Sequence, residues 1–236
     1  MYKASELELN KLLSLVLERD ASDLHLVVGE PPIIRVDTQL LRLDNYQVLS
    51  QDTIADPLGV LLNESQKIMF KEQMHIDFSY AYKDNIRFRV NAYCQKGVYS
   101  VAMRVIPNRI KTIEELNLPS GIRRFIEKKQ GLVLVVGPTG HGKSTALAAM
   151  INEINNTRAE HILTIEDPVE FVFIPSRSIV SQRELYLDTP SFSGALKAAL
   201  REDINVVLVG EMRDLESIAA ALTIAETGHL VFGTLH

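Results

Sequence analysis

The chain has 236 residues, of which 46% are hydrophobic and 23% charged, so it can bury the core of one large domain or two small ones. A net charge of −5, without blocks of like charge, argues against nucleic-acid binding, because that requires a basic surface. The single cysteine, Cys94, excludes an internal disulfide and a cysteine-cluster metal site in this sequence. Because there is no signal pattern and no apolar run near the roughly 20 residues of a membrane helix, a cytosolic protein without a transmembrane segment is predicted.

Residues 1–106 are predicted to form a small α+β domain with an antiparallel sheet. Ser5 and Glu8 have capping-box spacing ahead of apolar residues at helical intervals, so a first helix is expected to begin there. A second, mainly helical stretch is expected to break near Asp56 and Pro57. Strand-like runs lie at 24–28, 33–36, 40–43, 77–82, 86–95 and 98–105, with turns at Pro31-Pro32, Asp84-Asn85 and Lys96-Gly97.

A linker is predicted at 107–119, followed by an α/β nucleotide-binding domain at 120–236. Residues 132–136 are an unbroken apolar run, as expected for a strand buried on both faces of a parallel sheet. Asp214 and Gly228 stand where an N-cap and a C-terminal glycine belong around a helix. Helices are predicted from 143 onward, at 191–201 and at 214–226, and strands at 162–165, 206–209 and 230–232.

The apolar run at 132–136 leads into a glycine-rich loop that fits the pattern G-x-x-x-x-G-K-[ST]. Glycines let backbone N–H groups turn toward phosphate, Lys143 supplies positive charge for the β- and γ-oxygens, and the Ser144 hydroxyl reaches Mg²⁺. The structural alternative is a loop that only joins a strand to a helix. The predicted nucleotide-binding residues are Gly137, Pro138, Thr139, Gly140, His141, Gly142, Lys143, Ser144 and Thr145.

Two further strands are predicted to end in acidic residues at the edge where parallel α/β sheets bind ligands. The run 206–209 and one glycine precede Glu211, as in a Walker B strand, and a carboxylate there can hold the water around Mg²⁺ or orient the attacking water. The run 162–165 ends in Glu166 because Pro168 stops the strand. A solvated loop charge is the alternative for each acid, but two acidic strand ends favour at least one catalytic carboxylate.

Four motifs, taken in order, resemble those of the type II/type IV secretion ATPase family. They are the phosphate loop, the segment 164–170 (the aspartate box), the segment 210–214 and the segment 227–236 (the histidine box). Two N-terminal segments, 21–26 and 87–91, look like the PAS-like domain of that family. The resemblance spans nearly all of the chain and implies an α/β fold: a RecA-like P-loop ATPase domain preceded by a smaller PAS-like α+β domain.

The resemblance implies a homo-hexameric ring that hydrolyses ATP with Mg²⁺ at sites between neighbouring subunits. Glu166 resembles the glutamate that activates the hydrolytic water, and Glu211 resembles the Walker B glutamate near Mg²⁺. His229 and His236 resemble the histidines that couple the γ-phosphate to domain movement, although a lone histidine is usually structural.

Two arginines of the N-terminal part complete the set of residues that the resemblance marks as catalytic. Arg89 and Arg104 resemble arginines that the N-terminal domain brings to the bound nucleotide. Guanidinium groups suit this task because they stabilise charge on the transferring phosphoryl group. The alternative for each is an ion pair at the surface.

The segment 181–184 and the residues that follow it are most similar to the retraction branch of the type IV pilus motors. That branch implies a pilus platform protein at the cytoplasmic face of the inner membrane as the partner. A secretion or pilus-extension motor of the same family, a nucleotide-binding regulatory subunit without turnover, and a P-loop kinase are the alternatives. Because the sequence stops at the histidine box, we expect a fragment that lacks the C-terminal part of the motor domain.

The chain departs from the family pattern at two places. His141 stands where a small residue is usual, and Ile204-Asn205 replaces a Pro-Asp pair. The loop binds phosphate through its backbone, so a His141 side chain that faces outward is expected to be harmless, with perturbed phosphate binding as the alternative.

Overall fold

The computed structural model describes residues 2–83, 86–106, 109–138 and 140–235, with side chains from Glu8 onward. The chain divides into two compact units, residues 1–106 and 107–236, and each has its own sheet. None of the helices in these ranges is long and apolar enough to cross a bilayer. The predicted turn Asp84-Asn85 and the first two residues of the predicted linker, 107–108, lie outside the described residues.

The first unit is a six-stranded antiparallel sheet in the order β3-β2-β1-β6-β5-β4. Its strands are β1 (Asp23–Val27), β2 (Ile33–Val36), β3 (Gln39–Arg42), β4 (His75–Tyr82), β5 (Ile86–Gln95) and β6 (Val98–Ile106). Its helices are α1 (Tyr2–Glu18), α2 (Gln51–Leu61) and α3 (Glu64–Gln73).

The strands of the first unit carry a core face and an outer face, as side-chain alternation requires. On β5, Phe88 and Val90 are buried in the core that the helices cover, whereas Arg87 and Arg89 point to the outer face. Lys96 and Gly97 both have positive φ, which is the backbone of a tight hairpin turn, so this predicted turn is confirmed.

Two predicted helix boundaries in the first unit are wrong. α1 begins at Tyr2, ahead of the proposed cap at Ser5, since Lys3 and Ala4 are good helix formers that extend the helix backward. α2 continues through Pro57 and ends at Leu61. The proline ring is buried with Ile54 and Leu58 on the packed face of the helix, and this packing outweighs the lost hydrogen bond.

The second unit is a five-stranded parallel sheet in the order β7-β11-β10-β8-β9, with helices on both faces. Its strands are β7 (Gly131–Val136), β8 (His161–Glu166), β9 (Ile179–Glu184), β10 (Val206–Val209) and β11 (Leu230–Leu235). Its helices are α4 (Arg123–Ile126), α5 (Lys143–Thr157), α6 (Phe192–Ala199) and α7 (Leu215–Glu226), and a 3₁₀ turn spans Ser120–Ile122.

The central strands of the second unit supply two cores from alternate residues. Val206 and Leu208 pack with α5, whereas Val207 and Val209 pack with α6 and α7 on the other face. An α/β fold with one antiparallel and one parallel sheet is therefore confirmed. Asp214 caps α7 by accepting the Ser217 N–H at 2.8 Å, as the sequence predicts.

The structure differs from the sequence prediction at the two outer strands of this sheet. β7 pairs only with β11 among the described residues, and Leu134 and Val136 on it are 41% and 63% exposed, so the prediction of a strand buried on both faces is wrong here. β9 was not predicted, because its sequence IVSQRE is mostly polar after two residues. Its hydrogen-bonded register with β8 makes it a strand.

We predict that Leu147→Ala on α5 lowers the free energy of unfolding by about 2–5 kcal/mol, because the side chain is 1% exposed and its removal leaves a cavity. The matched variant Leu222→Ala on α7, where the leucine is 44% exposed, is expected to cost less than about 1 kcal/mol. Urea unfolding of both variants measures the difference. Equal costs would contradict the packing described for α5.

Candidate functional site

Parallel pairing brings the predicted nucleotide-binding and acidic segments to one edge of the second sheet. Val136 at the end of β7 pairs in register with Leu235 on β11, and Val209 on β10 pairs with Ile165 on β8. The phosphate loop, Glu211 and Glu166 therefore lie at the carboxyl ends of β7, β10 and β8, along one edge of the sheet. Three strand spacings of about 4.8 Å place β8 about 14 Å from β7.

The phosphate loop ends at the N-terminus of α5 without a side-chain cap. Gly142 is the N-cap residue and has a left-handed backbone (φ 79°), which an L side chain rarely adopts. Because the first turn of α5 contains no acidic residue, its N–H groups and the positive end of the helix dipole remain suited to an anion. This end of α5 can hold phosphate.

The described side chains of the phosphate loop differ in their contacts and exposure. The Lys143 ammonium donates to the carbonyl oxygens of Gly137 at 2.7 Å and Pro138 at 3.1 Å, so it lies over the loop. Ser144 and Thr145 are half-buried in the first turn of α5, and His141 is exposed. Pro138 and Gly140 are exposed in the loop, while Thr139 lies outside the described residues.

Glu166 is a buried carboxyl group at the end of β8, with 6% of the residue exposed. Its Oε1 accepts hydrogen bonds from the Thr164 hydroxyl at 2.6 Å and the Gln182 amide at 3.2 Å. Its Oε2 accepts the Glu170 N–H at 3.2 Å. All three donors are neutral.

Burial raises the pKa of Glu166 to about 7, although the hydrogen bonds from Thr164, the Glu170 N–H and Gln182 favour the ionised form. The nearby Glu170 charge adds to the rise. A carboxyl group that titrates near neutrality can take a proton from a water molecule and release it again at physiological pH. Glu166 is therefore chemically suited to be a general base.

Gly210 allows β10 and the end of β8 to come close together. Its N–H donates to the Ile165 carbonyl at 2.8 Å, and a Cβ at this position would lie 3.3 Å from the Glu166 Cα. The glycine before Glu211 is thus part of the motif and also permits close packing against Glu166. Glu211 itself pairs with Arg213, whose Nη2 lies 2.7 Å from Oε2, and this bond raises the pKa of Arg213.

The structure does not bring His229 to the phosphate loop of the same chain. His229 precedes β11, at the edge opposite to the loop, and six residues at about 3.3 Å each separate it from the other edge by about 20 Å. Its Nδ1 lies 3.1 Å from the Ile224 carbonyl at the end of α7, which fits a proton donated to a helix C-terminus. The second histidine, His236, lies outside the described residues.

The two predicted arginines lie side by side in the first unit. Arg89 on β5 and Arg104 on β6 are directly opposite in register on the outer face of the antiparallel sheet. The Arg104 Nε donates to Asp23 Oδ1 at 2.7 Å, and the Arg89 Nε lies 3.8 Å from Asp77 Oδ1. Burial raises the pKa of Asp23, but hydrogen bonds from Ser22 and Arg104 outweigh it and hold that pKa below its ordinary value.

Sequence reasoning did not find the hydrogen-bond partners of Glu166. In the sequence, Thr164 belongs to the aspartate box, and Gln182 belongs to the segment 181–184 that is similar to the retraction branch. Neither pattern indicates a contact with Glu166. Thr164 lies two residues before Glu166, which in a strand means the same face, and that spacing is a usable signal. Gln182 became a neighbour only through the register of β8 with β9, which the sequence did not predict.

We predict a pH-dependent stability difference between the parent chain and Glu166→Gln. The pKa of Glu166 is about 7 in the folded chain and 4.5 without burial, so the folded state keeps a proton that the unfolded state has released between these values. The stability of the parent therefore falls as pH rises through this window and levels off above it. Relative to the variant, the parent is expected to lose about 3 kcal/mol across the window, at 1.36 kcal/mol per pKa unit.

Urea unfolding of the two proteins over a pH series measures this difference. A difference that does not change with pH would contradict a raised pKa at Glu166.

Comparison with known proteins places this chain in a defined family. Residues 3–236 match the family described as Type II/IV secretion system protein. The Type IV pilus retractation ATPase PilT of Pseudomonas aeruginosa is 48% identical over 230 residues, which are 98% of this chain and 67% of that protein. The Twitching motility protein of Neisseria gonorrhoeae is 48% identical over 205 residues, which are 87% of this chain and 54% of that protein.

A solved structure agrees with the sequence matches. The crystal structure of the pilus retraction motor PilT with bound ADP has a TM-score of 0.88 and 45% identity, covering 96% of this chain and 66% of that one. This chain thus spans between 54% and 67% of the length of these relatives. The family that the four motifs predict is confirmed: the chain belongs to the type II/IV secretion system protein family.

Proposed function

We propose that this chain carries the nucleotide chemistry of an ATPase that powers type IV pilus retraction and hence twitching motility. The observation that carries the proposal is the shared sheet edge, where an uncapped phosphate loop lies with a buried carboxyl group whose pKa is about 7. Two relatives at 48% identity support it, since their names are those of a retraction ATPase and a twitching motility protein.

The phosphate loop would bind the triphosphate of ATP through backbone N–H groups and Lys143. In this structure the ammonium group lies on the carbonyl oxygens of Gly137 and Pro138, so it is already held at the loop. Gly140, His141 and Gly142 would contribute backbone, and Thr145 would support the first turn of α5.

The residues at this edge also fit Mg²⁺, which binds oxygen ligands and keeps several waters. The Ser144 hydroxyl in the first turn of α5 would be a direct ligand, and Glu211 would hold the ion through water. When bound with ATP, Mg²⁺ neutralises charge on the phosphate oxygens.

Glu166 would act as the general base in hydrolysis. Its carboxylate would accept a proton from the water whose oxygen attacks the γ-phosphorus, while the bond from that phosphorus to the ADP oxygen breaks. A pKa of about 7 leaves a substantial ionised fraction at neutral pH and allows the proton to leave after each turnover. The three neutral hydrogen-bond donors keep the carboxyl group in one position.

The remaining predicted residues would act through assembly and movement. Arg89 and Arg104 would bring guanidinium groups to a nucleotide in the assembled protein, since they lie together on the outer face of the first unit. His229 joins the end of α7 to the start of β11, so its coupling role, like that of His236, would be exerted through these elements.

We further propose that the first unit is PAS-like, that the second is RecA-like, and that the protein forms a homo-hexamer. The two domain assignments are supported by a helix-covered antiparallel sheet and a parallel sheet with helices on both faces. The hexamer is supported by the family to which the chain belongs. The partner would be the pilus platform protein in the inner membrane, reached from the cytoplasmic face. ATP-driven movement of the ring would act on that partner.

We predict that the intact protein hydrolyses ATP in the presence of Mg²⁺ and that Lys143→Ala and Glu166→Gln each lower kcat at least about a hundredfold. Lys143→Ala is also expected to weaken ATP binding, because it removes charge next to the phosphates. Glu166→Gln is expected to retain ATP binding, because Glu166 serves the chemical step.

The matched control is Lys197→Ala, since Lys197 forms an exposed ion pair with Glu216 away from the loop. Steady-state hydrolysis and nucleotide-binding assays give the result. Nucleotide binding without turnover in the parent would favour the regulatory subunit over the motor.

We predict that Arg89→Ala and Arg104→Ala each lower the hydrolysis rate of the assembled protein at least about tenfold, because each removes a guanidinium group that stabilises phosphoryl charge. Arg42→Ala is the control. This arginine lies on β3 of the same sheet and pairs with Glu30. Rates equal to those of the parent would mean that Arg104 is only the structural partner of Asp23.

A further inference from the structure

Gln182 connects the Glu166 carboxyl group to the segment that follows it. Its side-chain amide donates to Glu166 Oε1 at 3.2 Å and to the Phe171 carbonyl at 2.8 Å. Its amide oxygen accepts the Phe173 N–H at 2.8 Å. Both ends of the amide are therefore used, and one side chain holds the carboxyl group and two backbone groups of the segment 171–173.

Thr164 holds the same carboxyl oxygen from the other side. Its hydroxyl donates to Glu166 Oε1 at 2.6 Å, and the residue is fully buried on β8. In register, Thr164 lies opposite Gln182. The two donors thus converge on one atom from neighbouring strands.

The distribution of these bonds distinguishes the two carboxylate oxygens. A carboxylate oxygen has about two lone-pair sites. Oε1 accepts two hydrogen bonds and Oε2 accepts only the Glu170 N–H, counting the bonds formed within the described ranges. A lone-pair site therefore remains on Oε2, while those on Oε1 are occupied.

We propose that Thr164 and Gln182 are positioning residues for the hydrolysis reaction, which fix the Glu166 carboxyl group by its Oε1 so that Oε2 receives the proton of the attacking water. This inference rests on the proposed function, in which Glu166 is the base. Both residues bond directly to the Glu166 carboxyl group, so both act through Glu166.

Charged neighbours and hydrogen-bond donors both affect the pKa of Glu166. Glu170 faces it from the following segment and disfavours ionisation, and Glu184 lies opposite it in register on β9. Beyond β10, Glu211 is paired with Arg213. The hydrogen bonds from Thr164 and Gln182 both favour the ionised carboxylate, so loss of either shifts its titration to higher pH.

The test uses Thr164→Val and Gln182→Met in the intact protein, because each variant keeps the size of the side chain and removes the donor. Hydrolysis is measured against ATP concentration and pH with Mg²⁺ present. Each variant is expected to lose about 10–100-fold in kcat at neutral pH, as is usual when support of a reactive group is removed. KM for ATP is expected to stay within about twofold, and the acidic limb of the kcat profile is expected to move to higher pH.

Ser181→Ala is the matched control on the same strand. Its hydroxyl lies 3.0 Å from His161 Nε2, and alternation along β9 directs it to the opposite face from Gln182. The control is expected to lose one hydrogen bond and to keep the kcat profile of the parent.

Three results would overturn the proposal. The two variants could keep the kcat and pH profile of the parent, they could lose kcat and ATP affinity together, or they could lose kcat without any shift of the acidic limb. A parent without hydrolysis, or an active Glu166→Gln, would instead overturn the proposed function and this inference with it. An active parent, an inactive Glu166→Gln and unaffected positioning variants would overturn this inference alone.

Discussion

The parallel register of the second sheet is the constraint on which the candidate site depends. Side chains alternate between the two faces of a strand, so a slip of one residue in β8 would replace Glu166 by Ile165 at the same position. In the observed register Thr164, Glu166 and Gln182 meet, and the phosphate loop and Glu211 emerge at the same edge. The buried residues of β8 and β10 fix this register, because a slip of one residue would move Leu163, Ile165 and Val207 out of the core that they form with α6 and α7.

The two acids at this edge differ because their surroundings differ. Glu166 is buried among neutral donors, and burial raises its pKa to about 7. Glu211 is more exposed and pairs with the Arg213 guanidinium group. Glu166 is thus suited to exchange a proton near neutral pH, whereas Glu211 has a cationic neighbour.

Short-range sequence patterns predicted more of the fold than of the candidate site. The phosphate loop, the Asp214 cap and most strands follow from short-range patterns, and the structure has them where these patterns place them. Local patterns were wrong where tertiary packing decides the outcome. The helix α2 continues through Pro57, and side chains of β7 are exposed. Gln182 was missed for a related reason: its role depends on pairing between β8 and a strand that has a weak apolar signal.

The strand of the histidine box, β11, makes structural contacts through residues other than its histidines. β11 lies between β7 and β10, and the Thr234 hydroxyl donates to the Gly210 carbonyl at 2.6 Å. A Cβ at Gly233 would come within 2.6 Å of the Met212 methyl group, so glycine makes room for the segment that carries Glu211. Because β11 contacts both the strand before the phosphate loop and the segment after β10, a shift of this strand would move both together. Thr234 and Gly233 therefore link β7, the strand before the phosphate loop, to the segment that carries Glu211.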